Sequence, residues 1–264
     1  MAYTIGFVGF GNLAKRLHAG FSPLFKKENV TVLYSEKVPL KAPINSLKLV
    51  KLTELLTQSD IIVLAIKPHQ LTDIQDELNT VNWEKKCLVS LLAGKSLSTI
   101  SSKITNITHL IRVMPNTSAE FSQSMTVYST LPTTADVYIN RIDTLFNNVG
   151  TCIKTEDSKM DLCTGLFGSG PAFFYELLSA MQKIMIKQGF NEPSSRKMIN
   201  QLFLGIATSV NNRSDSIDTL IKEIKSPNGT TQAGLEKMTE LNINSLFEDV
   251  FIAAKNRAKE LSDE

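Results

Sequence analysis

The residue types best suited to chemistry lie in two turns, each placed where a helix is expected to begin. The first turn, residues 9–14 (GFGNLA), fits the pattern Gly-x-Gly-x-x-Ala and directly follows the apolar run at residues 4–8. The second turn, residues 226–234 (SPNGTTQAG), places Thr230 and Thr231 at a predicted helix start. Because backbone N–H groups at a helix start bind anions, both turns are candidate anion sites.

The glycine turn at residues 9–14 predicts dinucleotide binding. In this pattern the first glycine, here Gly9, permits the tight turn, and the second, Gly11, lets the backbone approach a pyrophosphate. Ala14 is small enough for the helix to pack on the sheet. A preceding strand and a following helix are the context that the pattern requires.

The turn at residues 226–234 is rich in hydroxyl groups and predicts a site for a small anion such as a carboxylate. Pro227 ends the preceding element, and Asn228 and Gly229 both tolerate a positive φ. A helix cap after an ordinary loop is the alternative interpretation. The glycine turn at the other end of the chain favours the anion site over it.

The elements that must position these turns change type near residue 155. Apolar runs at residues 4–8, 30–34, 61–66, 87–92 and 108–114 predict the strands of a doubly wound α/β sheet. Because ligands bind beyond the carboxyl ends of such strands, the turns after residues 9, 66, 92 and 114 are expected to converge on one crevice. Beyond residue 155 only helical spacing is found, which divides the chain into domains at 1–155 and 156–264.

Several helices of the second half are apolar on more than one face, as at residues 205–207 and 251–254. A domain of that size has limited interior in which to hide such surface. Dimerisation through these helices is therefore favoured over a tightly packed monomeric bundle.

Composition excludes several classes of protein. The 264 residues are 42% hydrophobic and 20% charged, with a net charge of +2, which describes a globular chain without a basic patch for nucleic acid or a membrane. The cysteines Cys87, Cys152 and Cys163 are widely spaced and lie near no histidine, so no metal site is expected. A reduced, cytoplasmic setting fits these cysteines best.

The end of the second strand bears on the choice between NADPH and NADH. Ser35 and Lys37 can hold a 2′-phosphate, whereas Glu36 repels one, so the sequence leaves both cofactors open here.

The chain has no Gly-x-Ser-x-Gly or His-Glu-x-x-His motif and no histidine in the crevice turns other than the neighbouring His69. A hydride transfer needs little more than positioning if the substrate is already electrophilic, as a protonated imine is.

Segments along nearly the whole chain resemble the pyrroline-5-carboxylate reductase family, which forms L-proline in the last step of proline synthesis. These segments are residues 6–14 (GFVGFGNLA), 64–68 (LAIKP), 90–94 (SLLAG), 112–117 (RVMPNT), 164–172 (TGLFGSGPA) and 226–234 (SPNGTTQAG). The resemblance implies a Rossmann domain, a helical dimerisation domain, and dimers that can assemble further. It also implies NADPH as the cofactor, with NADH as the alternative.

The resemblance also implies site residues. It places the cofactor along Val8, Gly9, Phe10, Gly11, Asn12, Leu13, Ala65, Ile66, Lys67, Pro68, Ala93 and Gly94, to which the residue pattern adds Ser35. It places the substrate carboxylate on Ser226, Gly229, Thr230 and Thr231. The hydroxyl of Thr231 is expected nearest the ring nitrogen of the substrate, where it orients the ring or delivers a proton.

Several positions depart from the family pattern. Asn228 replaces the more usual first glycine of a pair, Lys225 stands where a small residue is common, and Leu52 falls where members often have asparagine.

Two other functions remain as alternatives: a two-domain dehydrogenase of 3-hydroxy acids, and a catalytically silent dinucleotide sensor. The first usually needs a lysine base in the helical domain, and no lysine is expected in a buried setting on the first helix of that domain near Gly168, which counts against it.

Overall fold

The computed structural model describes residues 3–28, 30–35 and 47–263. Two compact units account for the chain: Met1–Gly170 together with Phe251–Glu264, and Pro171–Val250. This division rests on spatial contacts, whereas the boundary at residue 155 rests on the change of secondary structure and stays a prediction. Glu36 and Lys37, which bear on the choice of cofactor, lie outside the described residues.

The first unit is built on a twisted sheet whose strands alternate with helices. Its strands are β1 Thr4–Val8, β2 Thr31–Ser35, β3 Leu47–Leu49, β4 Ile61–Leu64, β5 Cys87–Ser90, β6 Leu110–Met114, β7 Ser124–Thr130 and β8 Gly150–Lys154. The spatial order is β3-β2-β1-β4-β5-β6-β7-β8. Each strand is parallel to its neighbours except at the β6–β7 pair, which is antiparallel. The doubly wound sheet predicted from the sequence is confirmed, with two strands, β7 and β8, that run opposite to the other six.

The register of the sheet brings the predicted crevice turns to one edge. Val8 pairs with Leu64, Leu64 with Ser90, and Ser90 with Arg112, so β1, β4, β5 and β6 end side by side. Strand β1 lies between β2 and β4, so successive crossovers from β1 run in opposite directions. That point is where a sheet of this kind opens a crevice for a ligand.

Helices and short turns cover both faces of the sheet. They are α1 Asn12–Glu28, α2 Leu52–Gln58, α3 Gln75–Asn79, α4 Leu97–Lys103, α5 Asp136–Asn147 and α6 Met160–Cys163, with a π-helical turn at Thr164–Gly168. One apolar core packs α1 and α5 on one face through residues such as Leu17 and Leu145. The other packs α2 and α4 on the opposite face through residues such as Leu55 and Ile100.

The rest of the chain is helical, as the sequence predicts for residues beyond 155. Its helices are α7 Gly170–Lys187, α8 Glu192–Asn212, α9 Ile217–Ile224, α10 Thr230–Glu240 and α11 Ile243–Asp263. Helix α8 begins with a side-chain cap, because the Asn191 side chain accepts a hydrogen bond of 2.9 Å from the Ser194 N–H. Within the described residues, none of the helices has the length and apolar character needed to cross a membrane.

The second unit leaves much of its apolar surface uncovered in the single chain. Ile184, Leu204 and Leu241 are each more than 60% exposed, and large apolar residues on α7, α8 and α9 are exposed with them. Exposed apolar surface of this extent is typical of an interface between protein chains.

Candidate active site

The turn between β1 and α1 has the shape expected of a dinucleotide-binding loop. Gly9 adopts a φ of +83°, which side chains rarely tolerate, and its N–H donates a hydrogen bond of 2.8 Å to the Ser35 carbonyl. The Val8 carbonyl accepts a hydrogen bond of 2.9 Å from the Ala65 N–H. The turn is therefore fixed to β2 on one side and to the end of β4 on the other.

The two glycines of this turn have different surroundings. A Cβ placed on Gly9 would lie 2.7 Å from Ile66 Cγ2 and 2.8 Å from the Ala65 carbonyl oxygen. A Cβ on Gly11 would meet no atom within 4 Å, and Gly11 is exposed. Gly9 is thus required by the fold itself, whereas the open surface at Gly11 leaves room for a ligand to approach the backbone.

Phe10 anchors the turn and does not offer its side chain to a ligand. It is completely buried, with its ring 5.7 Å from that of Phe7 and 5.1 Å from that of Tyr34. At the start of α1, Asn12 is exposed and Leu13 packs on the core beneath the sheet. Of the residues predicted to bind a cofactor here, Phe10 can contribute its backbone alone.

The end of β4 forms a second part of the crevice edge. Ala65, Ile66 and Pro68 are half-buried, and Lys67 is exposed. The Lys67 N–H donates a hydrogen bond of 2.9 Å to Gln70 Oε1, so that N–H is already paired. The exposed Lys67 ammonium and the surfaces of Ala65 and Ile66 remain available to a ligand.

The end of β5 is shaped by a helix from the far end of the chain. Ala93 is half-buried, whereas Gly94 is buried and has a φ of +78°. A Cβ on Gly94 would collide with the Ala258 carbonyl oxygen of α11. Gly94 therefore has a packing role that the sequence interpretation missed, and its contact with a cofactor stays a prediction.

A buried ion-pair network lies behind the end of β6. Arg112 is 1% exposed, and its guanidinium donates hydrogen bonds of 3.2 Å to Asp157 and 2.6 Å to Asp161. Asp157 also accepts hydrogen bonds from Ser129 Oγ and from the Leu97 N–H at the start of α4. A buried charge is tolerated when it is paired in this way. The arginine within the apolar strand was the signal that could have revealed the network.

Asn116 joins the end of β6 to the π-helical turn. Its Nδ2 donates a hydrogen bond of 3.1 Å to the Phe167 carbonyl, and its Oδ1 accepts one of 3.0 Å from the Ser118 N–H. A Cβ on Gly168 would lie 3.0 Å from Met114 Sδ. The 112–117 segment is thus an edge of the crevice, as expected, and is held there by polar contacts.

The hydroxyl turn lies in the second unit, between α9 and α10. Asn228 adopts a φ of +58°, in the left-handed region that asparagine is expected to tolerate. The Gly229 N–H donates a hydrogen bond of 3.1 Å to the Ser226 carbonyl. A Cβ on Gly229 would collide with Ser226 Oγ. Glycine at this position lets the Ser226 hydroxyl fold back beneath the helix start.

The N-terminus of α10 has no side-chain cap. Gly229 occupies the cap position, and the first helical hydrogen bond runs from the Ala233 N–H to the Gly229 carbonyl at 3.2 Å. Among the hydrogen bonds of the described residues, none uses the N–H of Thr230, Thr231 or Gln232. These donors, with the Thr230 and Thr231 hydroxyls beside them, form a site suited to a carboxylate.

The predicted site residues therefore form two groups. The cofactor residues lie together at the carboxyl edge of the sheet in the first unit, and the substrate residues lie together in one turn of the second. No cluster of three histidine, cysteine or carboxylate side chains suited to a metal ion occurs in residues 3–28, 30–35 and 47–263. The doubly wound sheet, its glycine turn and the helical second half together define a two-domain dinucleotide-dependent oxidoreductase.

Comparison with known proteins identifies the family. A family model for the dimerisation domain of pyrroline-5-carboxylate reductase matches residues 157–261, and one for coenzyme F420-dependent NADP oxidoreductases matches residues 4–94. Pyrroline-5-carboxylate reductase 2 of Bacillus subtilis is 30% identical over 254 residues, which span 94% of this chain and 90% of the relative. The pyrroline-5-carboxylate reductase of Glycine max is 29% identical, over 99% of this chain and 97% of its own. The chain belongs to the pyrroline-5-carboxylate reductase family.

A solved structure supports the same fold. The crystal structure of Plasmodium falciparum pyrroline carboxylate reductase with NADP bound matches with a TM-score of 0.90 at 21% identity, over 98% of both chains. The predicted Rossmann-type domain and helical dimerisation domain are confirmed by this likeness and by the family models.

Proposed function

We propose that this protein reduces 1-pyrroline-5-carboxylate to L-proline, the last step of proline biosynthesis, with NADPH as the hydride source. Membership of the family supports the reaction. The observation that carries the substrate assignment is the N-terminus of α10, where the N–H groups of Thr230, Thr231 and Gln232 lie beside two hydroxyls and take part in none of the hydrogen bonds among the described residues.

The proposed cofactor site follows the crevice edge of the first unit. The open backbone at Gly11 and the N-terminus of α1 at Asn12 fit a pyrophosphate, which needs close approach and N–H donors. The side chain of Ser35 and the end of β2 fit the adenosine ribose of the cofactor. Residues 65–68 and Ala93 fit the half of the cofactor that carries the nicotinamide. NADPH supplies a hydride when bound, and the residues named here position it.

The proposed substrate site is the turn at residues 226–231. The N–H groups of Thr230 and Thr231 and the Ser226 hydroxyl bind the carboxylate, whose charge is further stabilised by the α10 dipole. Fixing the carboxylate orients the ring for hydride transfer to its C=N carbon. The exposed Lys225 beside the turn adds a positive charge that attracts the anionic substrate.

Thr231 has the closest polar side chain to the proposed position of the ring nitrogen. It is half-buried, unlike the exposed Thr230, so its hydroxyl is more restricted. Because an alcohol is a weak acid, we assign Thr231 to orienting the imine and passing a proton from water, and not to strong acid catalysis. The imine is already electrophilic once protonated, so this modest assistance suffices.

We further propose a homodimer formed through the helical domain, with assembly into higher oligomers left to measurement. The exposed apolar residues of α7, α8 and α9 support the dimer, since water-exposed apolar surface of that extent is costly in a monomer. The three free cysteines are consistent with a cytoplasmic location.

The test is the oxidation of NADPH by the purified protein with 1-pyrroline-5-carboxylate, followed by detection of L-proline. Turnover that needs both compounds is expected, and comparing kcat/KM with NADPH and NADH gives the preferred cofactor. Binding of NADPH without turnover would instead identify a silent sensor. Oxidation of a 3-hydroxy acid with NADP⁺, and no reaction with the pyrroline compound, would identify the alternative dehydrogenase.

A further inference from the structure

The C-terminal part of α11 packs on the first unit, although α11 begins in the second. Residues Phe251–Glu264 belong with the first unit by their contacts. Ala258 is only 3% exposed, whereas its neighbours Arg257 and Lys259 are exposed. This part of the helix therefore turns one narrow face towards the unit that carries the sheet.

That face meets Gly94 in the loop after β5 and Gly165 in the π-helical turn. A Cβ on Gly94 would collide with the Ala258 carbonyl oxygen and lie 2.8 Å from Leu261 Cβ. A Cβ on Gly165 would lie 3.3 Å from Ala254 Cβ. Ala254, Ala258 and Leu261 follow the spacing i, i+4 and i+7, which places them on one side of a helix.

The loop after β5 is held from two directions. Gly94 has a φ of +78°, and Lys95, the residue that follows it, is 1% exposed. Ser96 then caps α4, with its Oγ accepting a hydrogen bond of 3.0 Å from the Thr99 N–H. The cap fixes one end of the loop, and the contact with Ala258 and Leu261 fixes its middle.

We propose that Ala258 is a positioning residue for cofactor binding. The carbonyl oxygen of Ala258 lies against Gly94, and the buried position of the Ala258 side chain leaves little room for a larger one. The close approach of α11 holds residues 93–95 in the conformation that the cofactor meets. The inference rests on the proposed function, which puts Ala93, the residue before Gly94, at the cofactor site. Ala258 acts through the loop and does not touch the cofactor itself.

The experiment compares Ala258→Leu with Ala253→Leu, since both variants add the same atoms to the same helix. Ala253 is exposed in this chain and Ala258 is buried. The dissociation constant of NADPH is measured directly by its fluorescence, and kcat and both KM values are measured alongside the melting temperature. Ala258→Leu is expected to raise the NADPH dissociation constant about tenfold, because overpacking displaces the loop. Its kcat at saturating NADPH and its KM for the pyrroline substrate are expected to stay within about twofold of the wild type.

A purely structural role for Ala258 would give a different pattern. It would lower the melting temperature and the yield of active enzyme while leaving the NADPH dissociation constant unchanged, and that result would overturn the inference. If Ala258→Leu does not fold, Ala258→Val decides the matter, with an expected rise of about threefold in the same constant because it adds fewer atoms at the same buried position. An unchanged constant in Ala258→Val would equally overturn it.

Failure of the proposed function is distinguishable from failure of this inference. A wild-type protein that binds no NADPH contradicts the proposed function. A wild-type protein that binds NADPH and turns over, with variants that bind it equally well, contradicts only the role of Ala258.

Discussion

The two helix starts proposed to bind anions are built in different ways. The glycine turn at residues 9–14 rests on a packed interior, with Phe10 fully buried beneath it and Gly9 hydrogen-bonded to β2. The turn at residues 226–231 is held by local contacts, chiefly the hydrogen bond from the Gly229 N–H to the Ser226 carbonyl. Most of its residues are exposed.

Because of this difference, substitutions in the two turns are expected to have different effects on the stability of the protein. A change in the glycine turn disturbs the core of the first unit, so it affects folding as well as cofactor binding. A change in the hydroxyl turn alters a short exposed segment, so it affects substrate binding with little cost in stability. The comparison can be tested by placing the same small substitution at each site.

The largest effect is expected from Gly9→Ala. The added Cβ would lie 2.7 Å from Ile66 Cγ2, and alanine is strained at a φ of +83°. The two effects together should lower the free energy of unfolding by about 2–4 kcal/mol and abolish NADPH binding. Denaturant titration and NADPH fluorescence measure the two quantities. A variant with wild-type stability would show that the turn is not fixed by the core.

The matched variant Gly11→Ala tests whether the second glycine of the turn serves cofactor binding and not the fold. Its Cβ would meet no atom of the protein within 4 Å, so stability should change by less than about 0.5 kcal/mol. The same Cβ should obstruct the pyrophosphate and raise the NADPH dissociation constant at least tenfold, about 1.4 kcal/mol. Tight NADPH binding by Gly11→Ala would argue against the proposed approach of the cofactor to this backbone.

In the hydroxyl turn, Thr231→Ala is expected to lower kcat/KM for 1-pyrroline-5-carboxylate by about tenfold, the usual contribution of one hydrogen bond to a charged or polar ligand. Stability and NADPH binding should be unchanged. Thr231→Ser keeps the hydroxyl and serves as the control, with activity close to that of the wild type. Equal loss of activity in both variants would point to the methyl group of Thr231 and not to its hydroxyl.

The smallest expected effect concerns His18, which lies behind the glycine turn. Its ring is 5.8 Å from that of Phe10, and burial lowers the pKa of the imidazole below its usual 6.5. The unfolded chain therefore binds the proton more readily, so the contribution of His18 to stability is complete above about pH 6.5 and is lost as the pH falls towards the lowered pKa.

The measurement for His18 is the free energy of unfolding between pH 7.5 and 5.5, for the wild type and for His18→Leu. The wild type should lose more stability over this range, with a difference in slope of at most about 1.4 kcal/mol per pH unit. Parallel curves for the two proteins would show that His18 does not titrate with folding.

The sequence allowed much of this arrangement to be predicted, because the relevant signals are local. The turn at Gly9 and the helix start at Thr230 each follow from residue types within a few positions. Strands β3, β7 and β8 were not predicted individually, since β3 is three residues long and β7 mixes polar with apolar residues. The arginine within the apolar strand β6 indicates a buried ion pair but not its partners. The pairing of Arg112 with Asp157 and Asp161, and the contact of Gly94 with Ala258, join residues distant in sequence, so no local pattern identifies which residues meet.

The central claim is that one turn binds the cofactor and the other binds the substrate. The most direct test determines the NADPH dissociation constant and the KM for 1-pyrroline-5-carboxylate in Gly11→Ala and Gly229→Ala, the second of which displaces the Ser226 hydroxyl. The account predicts that Gly11→Ala raises only the first constant and that Gly229→Ala raises only the second. It would be contradicted if Gly229→Ala weakened NADPH binding while leaving the KM for the pyrroline substrate unchanged.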